Sequence, residues 1–160
     1  MWGVKQVLLI CAVVMGQSVL AADKKPLIAN PIVEKAIRES LEKPEGELTK
    51  AELQKLTFLY LDATKITDAG LKEVAKLQKL EALVLDHTKI TDAGLKEVAK
   101  LKRLKTLGLW NTKITDAGLK DIAKLKQLTE LYLTDTQVTK AGVAELKKAL
   151  PNCDISHDFD

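Results

Sequence analysis

Leucines recur along most of this chain in a fixed order, L-x-x-L-x-L, followed by a gap and the same order again. The sets are Leu56, Leu59, Leu61; Leu80, Leu83, Leu85; Leu104, Leu107, Leu109; and Leu128, Leu131, Leu133. The L-x-L pair in each set alternates inward and outward at period two, which predicts a short strand. Ile66, Ile90, Ile114 and Val138 then turn the chain inward again. Beyond them the period changes. Leu71, Val74 and Ala75, like Leu95, Val98 and Ala99, sit at i, i+3 and i+4 and form one apolar helix face. The chain from Leu53 therefore divides into four coils of 24 residues: 53–76, 77–100, 101–124 and 125–148. A strand and a short helix in a unit of that length close one turn of a solenoid.

The phrase TKITDAGLKEVAKL stands at 64–77 and again at 88–101, with a near copy at 112–125. One catalytic centre has no use for several copies of the same group, so the repetition is architectural. No single coil can bury its own leucines, and its neighbours must supply the missing walls. Thr67 or Asp68 is expected to cap the first repeated helix, with equivalents at Thr91/Asp92, Thr115/Asp116 and Thr139. Asp68 also stands four residues before Lys72, the spacing of a helical ion pair, and the spacing recurs at Asp92–Lys96 and Asp116–Lys120. Gly70, Gly94, Gly118 and Gly142 fall in the first turn of each helix, where a glycine costs about 1 kcal/mol. Close backbone contact with the neighbouring coil is the expected reason. Thr64, Thr88, Thr112 and Thr136 follow the strands and are expected to form an internal ladder, bonding the turn backbone of the next coil.

The pattern L-x-x-L-x-L-x-x-T-x-I-T-D-x-G-L at 56–71 resembles the leucine-rich-repeat family. It is most similar to the 24-residue bacterial variant with threonine where other members carry asparagine or cysteine, and its turns are similar to ribonuclease-inhibitor-like and F-box-associated repeats. The resemblance implies an α/β fold, a right-handed solenoid with a parallel sheet on its concave side and helices on its convex side. It also implies action by binding, most often to protein, with no catalysis by the repeat and no cofactor.

The remaining segments fit the ends of such a stack. Residues 30–52 read as a helical N-terminal cap: Asn30 before Pro31 starts a helix, Ile32, Val33, Ala36, Ile37 and Leu41 make its apolar side, and Thr49 with Glu52 forms a capping box. Residues 149–160 begin a further coil and stop, with 154–156 expected to pair along the last strand and the final HDFD expected to fray. Ahead of the cap, residues 1–21 have an early Lys5, an apolar heart at 7–15 and small residues at the end, the layout of a secretory signal peptide. Residues 22–29 read as a short linker. The expectation is an exported protein, periplasmic or extracellular, without stable membrane insertion after cleavage.

Composition narrows the choice of partner. Removing Lys5 with the signal from the 25 basic residues leaves 24 against 22 acidic ones, a near-balance that gives no support for nucleic acid. Cys153 would be the one cysteine left, expected to act as a small buried hydrophobe in a fold held by packing. Outward strand positions read across the coils as columns: Phe58, Ala82, Thr106, Glu130; Tyr60, Val84, Gly108, Tyr132; Asp62, Asp86, Trp110, Thr134; and Ala63, His87, Asn111, Asp135. These positions vary while the framework repeats. The candidate binding residues are Phe58, Tyr60, Asp62, Asp86, His87, Trp110, Asn111, Tyr132 and Asp135. Trp110 beside Gly108 is expected to form a shallow concavity flanked by Tyr60 and Tyr132; the alternative is a plain cross-strand aromatic stripe. Asp62, Asp86 and His87 raise the possibility of glycoside or metal chemistry, but an open wet face is a poor place for either. A non-catalytic protein-binding module is the leading expectation, with no catalytic or metal site; a structural or assembly component of the bacterial envelope is the alternative.

Overall fold

The computed structural model describes residues 25–159. The expected signal segment 1–21, the first part of the linker (22–24) and Asp160 lie outside the described residues. Strands β1 (Phe58–Tyr60), β2 (Ala82–Val84), β3 (Thr106–Gly108), β4 (Glu130–Tyr132) and β5 (Asp154–Ser156) form one sheet in chain order, every neighbour parallel. Helices α3 (Asp68–Val74), α4 (Asp92–Val98), α5 (Asp116–Ile122) and α6 (Lys140–Ala149) lie between successive strands. Ahead of β1 come α1 (Pro31–Ser40) and the single turn α2 (Lys50–Leu53).

The core lies between sheet and helices. Leu59, Leu83, Leu107 and Leu131 pair in one register and are all buried. Ile66, Ile90, Ile114 and Val138 are buried behind the turns, and Leu71, Val74, Leu95 and Val98 close the helical wall. At the front, Asn30 accepts from the amides of Ile32 and Val33, Pro31 opens α1, and Val33, Ala36 and Ile37 are buried. Thr49 and Glu52 form the expected reciprocal capping box. At the back, β5 pairs along β4 through Leu131 and Ile155, which slips Cys153 one place from the first leucine register. Cys153 is buried, and burial, with the charges of Asp154 and Glu130, pushes its thiol up to about 11. The tail does not fray as expected: the Asp135 amide donates to Asp158, and Phe159 packs against the core.

Three local expectations are corrected by side-chain geometry. Thr64, Thr88, Thr112 and Thr136 donate to the carbonyls of Leu61, Leu85, Leu109 and Leu133 in their own coils, at 2.6–2.7 Å, and not to the next coil. A hydroxyl three residues after a strand carbonyl can reach it directly, which satisfies the buried Thr88 and Thr112 locally. Acids near the helix C-termini ion-pair at i,i+3, as Glu73–Lys76, Glu97–Lys100, Asp121–Lys124 and Glu145–Lys148. The expected partners of Lys72, Lys96 and Lys120 are turned elsewhere.

Those partners, Asp68, Asp92 and Asp116, reach across to the next coil. Asp68 accepts from the Thr91 amide at 2.8 Å and from its hydroxyl at 2.7 Å. Asp92 does the same to Thr115 at 2.9 and 2.6 Å, and Asp116 to Thr139 at 2.8 and 2.6 Å. Thr91, Thr115 and Thr139 are also the N-caps of their own helices, accepting from the amides of Ala93, Ala117 and Gly142. Each carboxylate thus holds the start of the following helix. This explains the glycines. A Cβ on Gly94 would lie 2.5 Å from an Asp68 oxygen and 2.7 Å from Leu71 Cδ1; on Gly118 it would lie 2.4 Å from an Asp92 oxygen. What the glycine makes room for is the neighbour's side chain rather than its backbone. Gly70 has no earlier coil; a Cβ there would meet Ile66 of its own coil and the cap's Asn30, the latter 2.9 Å away.

Asp92→Ala removes a charged acceptor from two donors and is expected to cost about 2 kcal/mol of unfolding free energy. Lys96→Ala, which removes only the partner that sequence spacing suggested for Asp92, is expected to cost less than about 0.5 kcal/mol. Urea unfolding of both variants checks this; equal losses would contradict the cross-coil assignment.

Candidate functional site

One face of the sheet is covered by the core and helices, and the other is open. Alternation puts Phe58, Tyr60, Glu130 and Tyr132 on the open face, each exposed. The ladder does not stop with the three-residue strands. Leu61, Leu85 and Leu109 donate to Val84, Gly108 and Tyr132, and Ala63, His87 and Asn111 donate to Asp86, Trp110 and Thr134. The third and fourth columns are therefore fixed by the backbone as firmly as the first two.

In the fourth column the backbone is left-handed: φ is 52° at Ala63, 54° at His87, 51° at Asn111 and 54° at Asp135. Asparagine and aspartate tolerate this region better than other non-glycine residues. Asn111 and Asp135, candidates for binding by sequence, thus have a conformational reason for their positions. The variety of the fourth column is partly a backbone requirement, and an Asn or Asp two residues after a strand leucine was the signal that sequence reading passed over.

The third column holds the site's chemistry. Asp86 turns over β3, where a Cβ on Gly108 would lie 2.7 Å from its Oδ1. The space above Gly108 is filled by this carboxylate, so the shallow concavity expected beside Trp110 is not there. Asp86 accepts from the Trp110 amide at 2.8 Å. The indole N–H of Trp110 donates to Asp135 at 2.9 Å, and the ring meets His87 edge-on with centroids 4.4 Å apart. Asp86, His87, Trp110 and Asp135 are thereby brought together, with Trp110 fixed in place yet 42% exposed. Asn111 lies one residue beyond it, its amide bound to Thr134.

The aromatic side chains do not form a single stripe. Phe58 and Tyr60 touch within β1, with centroids 5.9 Å apart. Tyr132 neighbours Gly108, but Val84 and Gly108 separate it from Tyr60. At ordinary strand spacing that separation is about 14 Å. These rings are therefore separate footholds. Among the described residues, no group of three or more His, Cys, Asp and Glu side chains is arranged to hold a metal ion. Two hollows lie away from this face: one of about 350 Å³ between α5 and α6, lined by Leu119, Ala123, Leu146 and Ala149, and one of about 510 Å³ by Leu27, Leu53 and Lys76.

Burial pushes the Asp86 carboxyl above its ordinary value of 3.8; the Trp110 amide and His87 pull the other way, and the charge of Asp62 adds to the rise. A raised folded value means that stability from this group is fully present below pH 3.8 and is lost as pH rises through the folded value. Asp86→Asn keeps an acceptor for the Trp110 amide and removes the charge. The variant is expected to match wild type below pH 3.8 and to be the more stable protein near neutrality. Thermal unfolding across pH measures this; a variant that falls further behind as pH rises would refute it.

Comparison with known proteins agrees with this geometry. A family described as Leucine Rich repeat matches residues 76–99, the length of one coil. Among solved structures, an internalin from Listeria monocytogenes is similar at 26% identity and a TM-score of 0.64, over 86% of this chain and 39% of its own. A leucine-rich-repeat protein from Leptospira interrogans is similar at 30% identity and a TM-score of 0.52, over 70% of this chain and 28% of its own. The chain thus spans well under half the length of either. No curated protein matches it. The repeat match, the two structural likenesses and the in-register parallel sheet with its row of helices lead to one conclusion: this chain is a leucine-rich-repeat protein.

Proposed function

We propose that the chain is an exported, non-catalytic binding module that captures a protein partner on the open, concave face of its sheet. The observation that carries this reading is the placement of exposed apolar bulk. Phe58, Tyr60, Trp110 and Tyr132 are the large hydrophobic side chains left exposed among the described residues, and all four lie on that face. Scattered single exposures are ordinary; aromatic residues gathered on one open surface are typical interface anchors. The framework around them repeats nearly verbatim while these positions differ from coil to coil.

The finer assignment, to the 24-residue bacterial class with threonine at the turn, is supported by the period and by Thr64, Thr88, Thr112 and Thr136. Export is supported by the layout of residues 1–21, which have a single charge before a short apolar run. Among the described residues no helix is long and apolar enough to cross a membrane.

The test is capture from the native envelope with the mature protein, alongside a variant carrying Tyr60→Ala, Trp110→Ala and Tyr132→Ala. The expected result is a specific protein partner lost by the variant, with its far-UV circular dichroism unchanged. Retention of the partner by the variant would remove the open face from the account. The same preparation reports export: the mature chain should begin near Ala22, and an intact Met1 would refute cleavage.

A further inference from the structure

The open face carries charge of one sign. Its outward and turn positions hold Asp62, Asp86, Glu130 and Asp135; β5 adds Asp154, and the tail beyond it adds Asp158, which accepts from the Asp135 amide. The four outward columns contain no lysine or arginine, although the whole chain carries a net charge of +3. Basic residues are elsewhere: Lys72, Lys96 and Lys120 on the helices, and Lys65, Lys89 and Lys113 beyond the turns, all exposed. Lys105, at the rim before β3, is already paired with Glu81 at 2.8 Å.

The acids are interleaved with the exposed rings. Asp62 is two residues along the chain from Tyr60, Asp86 holds the Trp110 amide, Asp135 holds the indole, and Glu130 shares β4 with Tyr132. We propose that the partner segment that lies on this face is basic, an arginine- and lysine-bearing stretch of protein whose cations rest against the exposed rings and between the carboxylates. This deepens, and rests on, the binding reading given above. Guanidinium groups suit both halves of the surface, because they stack on aromatic faces and fork onto carboxylates. A cation placed between Asp62 and Asp86 would also offset the unfavourable burial of the Asp86 charge and its repulsion by Asp62. An acidic segment would meet uncompensated repulsion across the whole face.

The experiment uses two dye-labelled peptides of equal length and the full chain, with affinity read by fluorescence polarisation. One peptide alternates arginine with serine, the other glutamate with serine. Two variants accompany wild type. The first carries Asp62→Asn, Asp86→Asn and Asp135→Asn, which keep the acceptors for the Trp110 amide and indole. The second carries Glu39→Gln, Glu97→Gln and Glu145→Gln, an equal loss of three negative charges away from the face. The expected result is binding of the arginine peptide alone, weakened about tenfold or more by the face variant, unchanged by the remote variant, and falling with added salt. Equal binding of both peptides, or equal weakening by both variants, overturns the proposal. If the aromatic triple variant still loses its envelope partner while the arginine peptide fails to bind, the basic-segment inference falls and the binding reading stands. If the triple variant keeps its partner, the binding reading itself falls.

Discussion

The structure depends on an interior that no coil owns. Leu59, Leu83, Leu107 and Leu131 are each buried only because neighbouring strands, the cap helix α1 beside β1 and the helices behind complete the enclosure. A coil removed from the stack would present its leucines to water, and at about 2 kcal/mol for each large side chain exposed it could not stand alone. Everything else follows from the need to keep neighbouring coils at one spacing and one register. The parallel ladder holds them on the sheet side, and the aspartate-to-threonine contacts hold them on the helix side.

This division of labour explains why the repeated phrase is so strictly repeated. In the T-D-A-G-L of the second and third coils the threonine caps its own helix and receives the previous coil's carboxylate, the aspartate reaches forward, and the glycine leaves room for the carboxylate arriving from behind. The leucine closes the core. Changing the threonine or the aspartate would break the hydrogen bonds between coils, and filling the glycine would displace the previous coil's carboxylate. At the fourth coil Lys140 replaces the aspartate, and among the described residues no later helix follows for it to hold. The open face bears no such constraint beyond its backbone, and there the residues are free to differ.

Much of this was legible in the sequence because it is periodic. The strand leucines, the inward isoleucines and the caps of the later helices are set by local spacing, and the structure places them where spacing implied; at the first repeated helix the expected cap is missing, because Thr67 makes no side-chain bond there and Asp68 reaches on to Thr91. What spacing could not show was where side chains go across coils. Asp68 looked like a partner for Lys72 because the two are close in sequence, whereas Thr91 lies 23 residues on and offers two donors to that one carboxylate. Gly108 looked like a hollow because its own side chain is missing, but a neighbouring column supplied Asp86 to fill it. Asn111 and Asp135 looked chosen for a ligand before the left-handed turn was seen. The exposure of the aromatic side chains was legible in the sequence because alternation fixes which way they face.

The central claim, that 24 residues make one interchangeable turn of a shared interior, is tested most directly by deletion. Removing residues 77–100 joins Lys76 to Leu101, a junction identical in type to the natural one. The account predicts a shorter protein that still unfolds cooperatively in urea, less stable than the parent, with circular dichroism of the same shape. Removing residues 77–88, half a coil, should abolish the cooperative transition, because it sets strand against helix in the stack. Loss of folding on removal of the whole coil, or tolerance of the half-coil deletion, would contradict it.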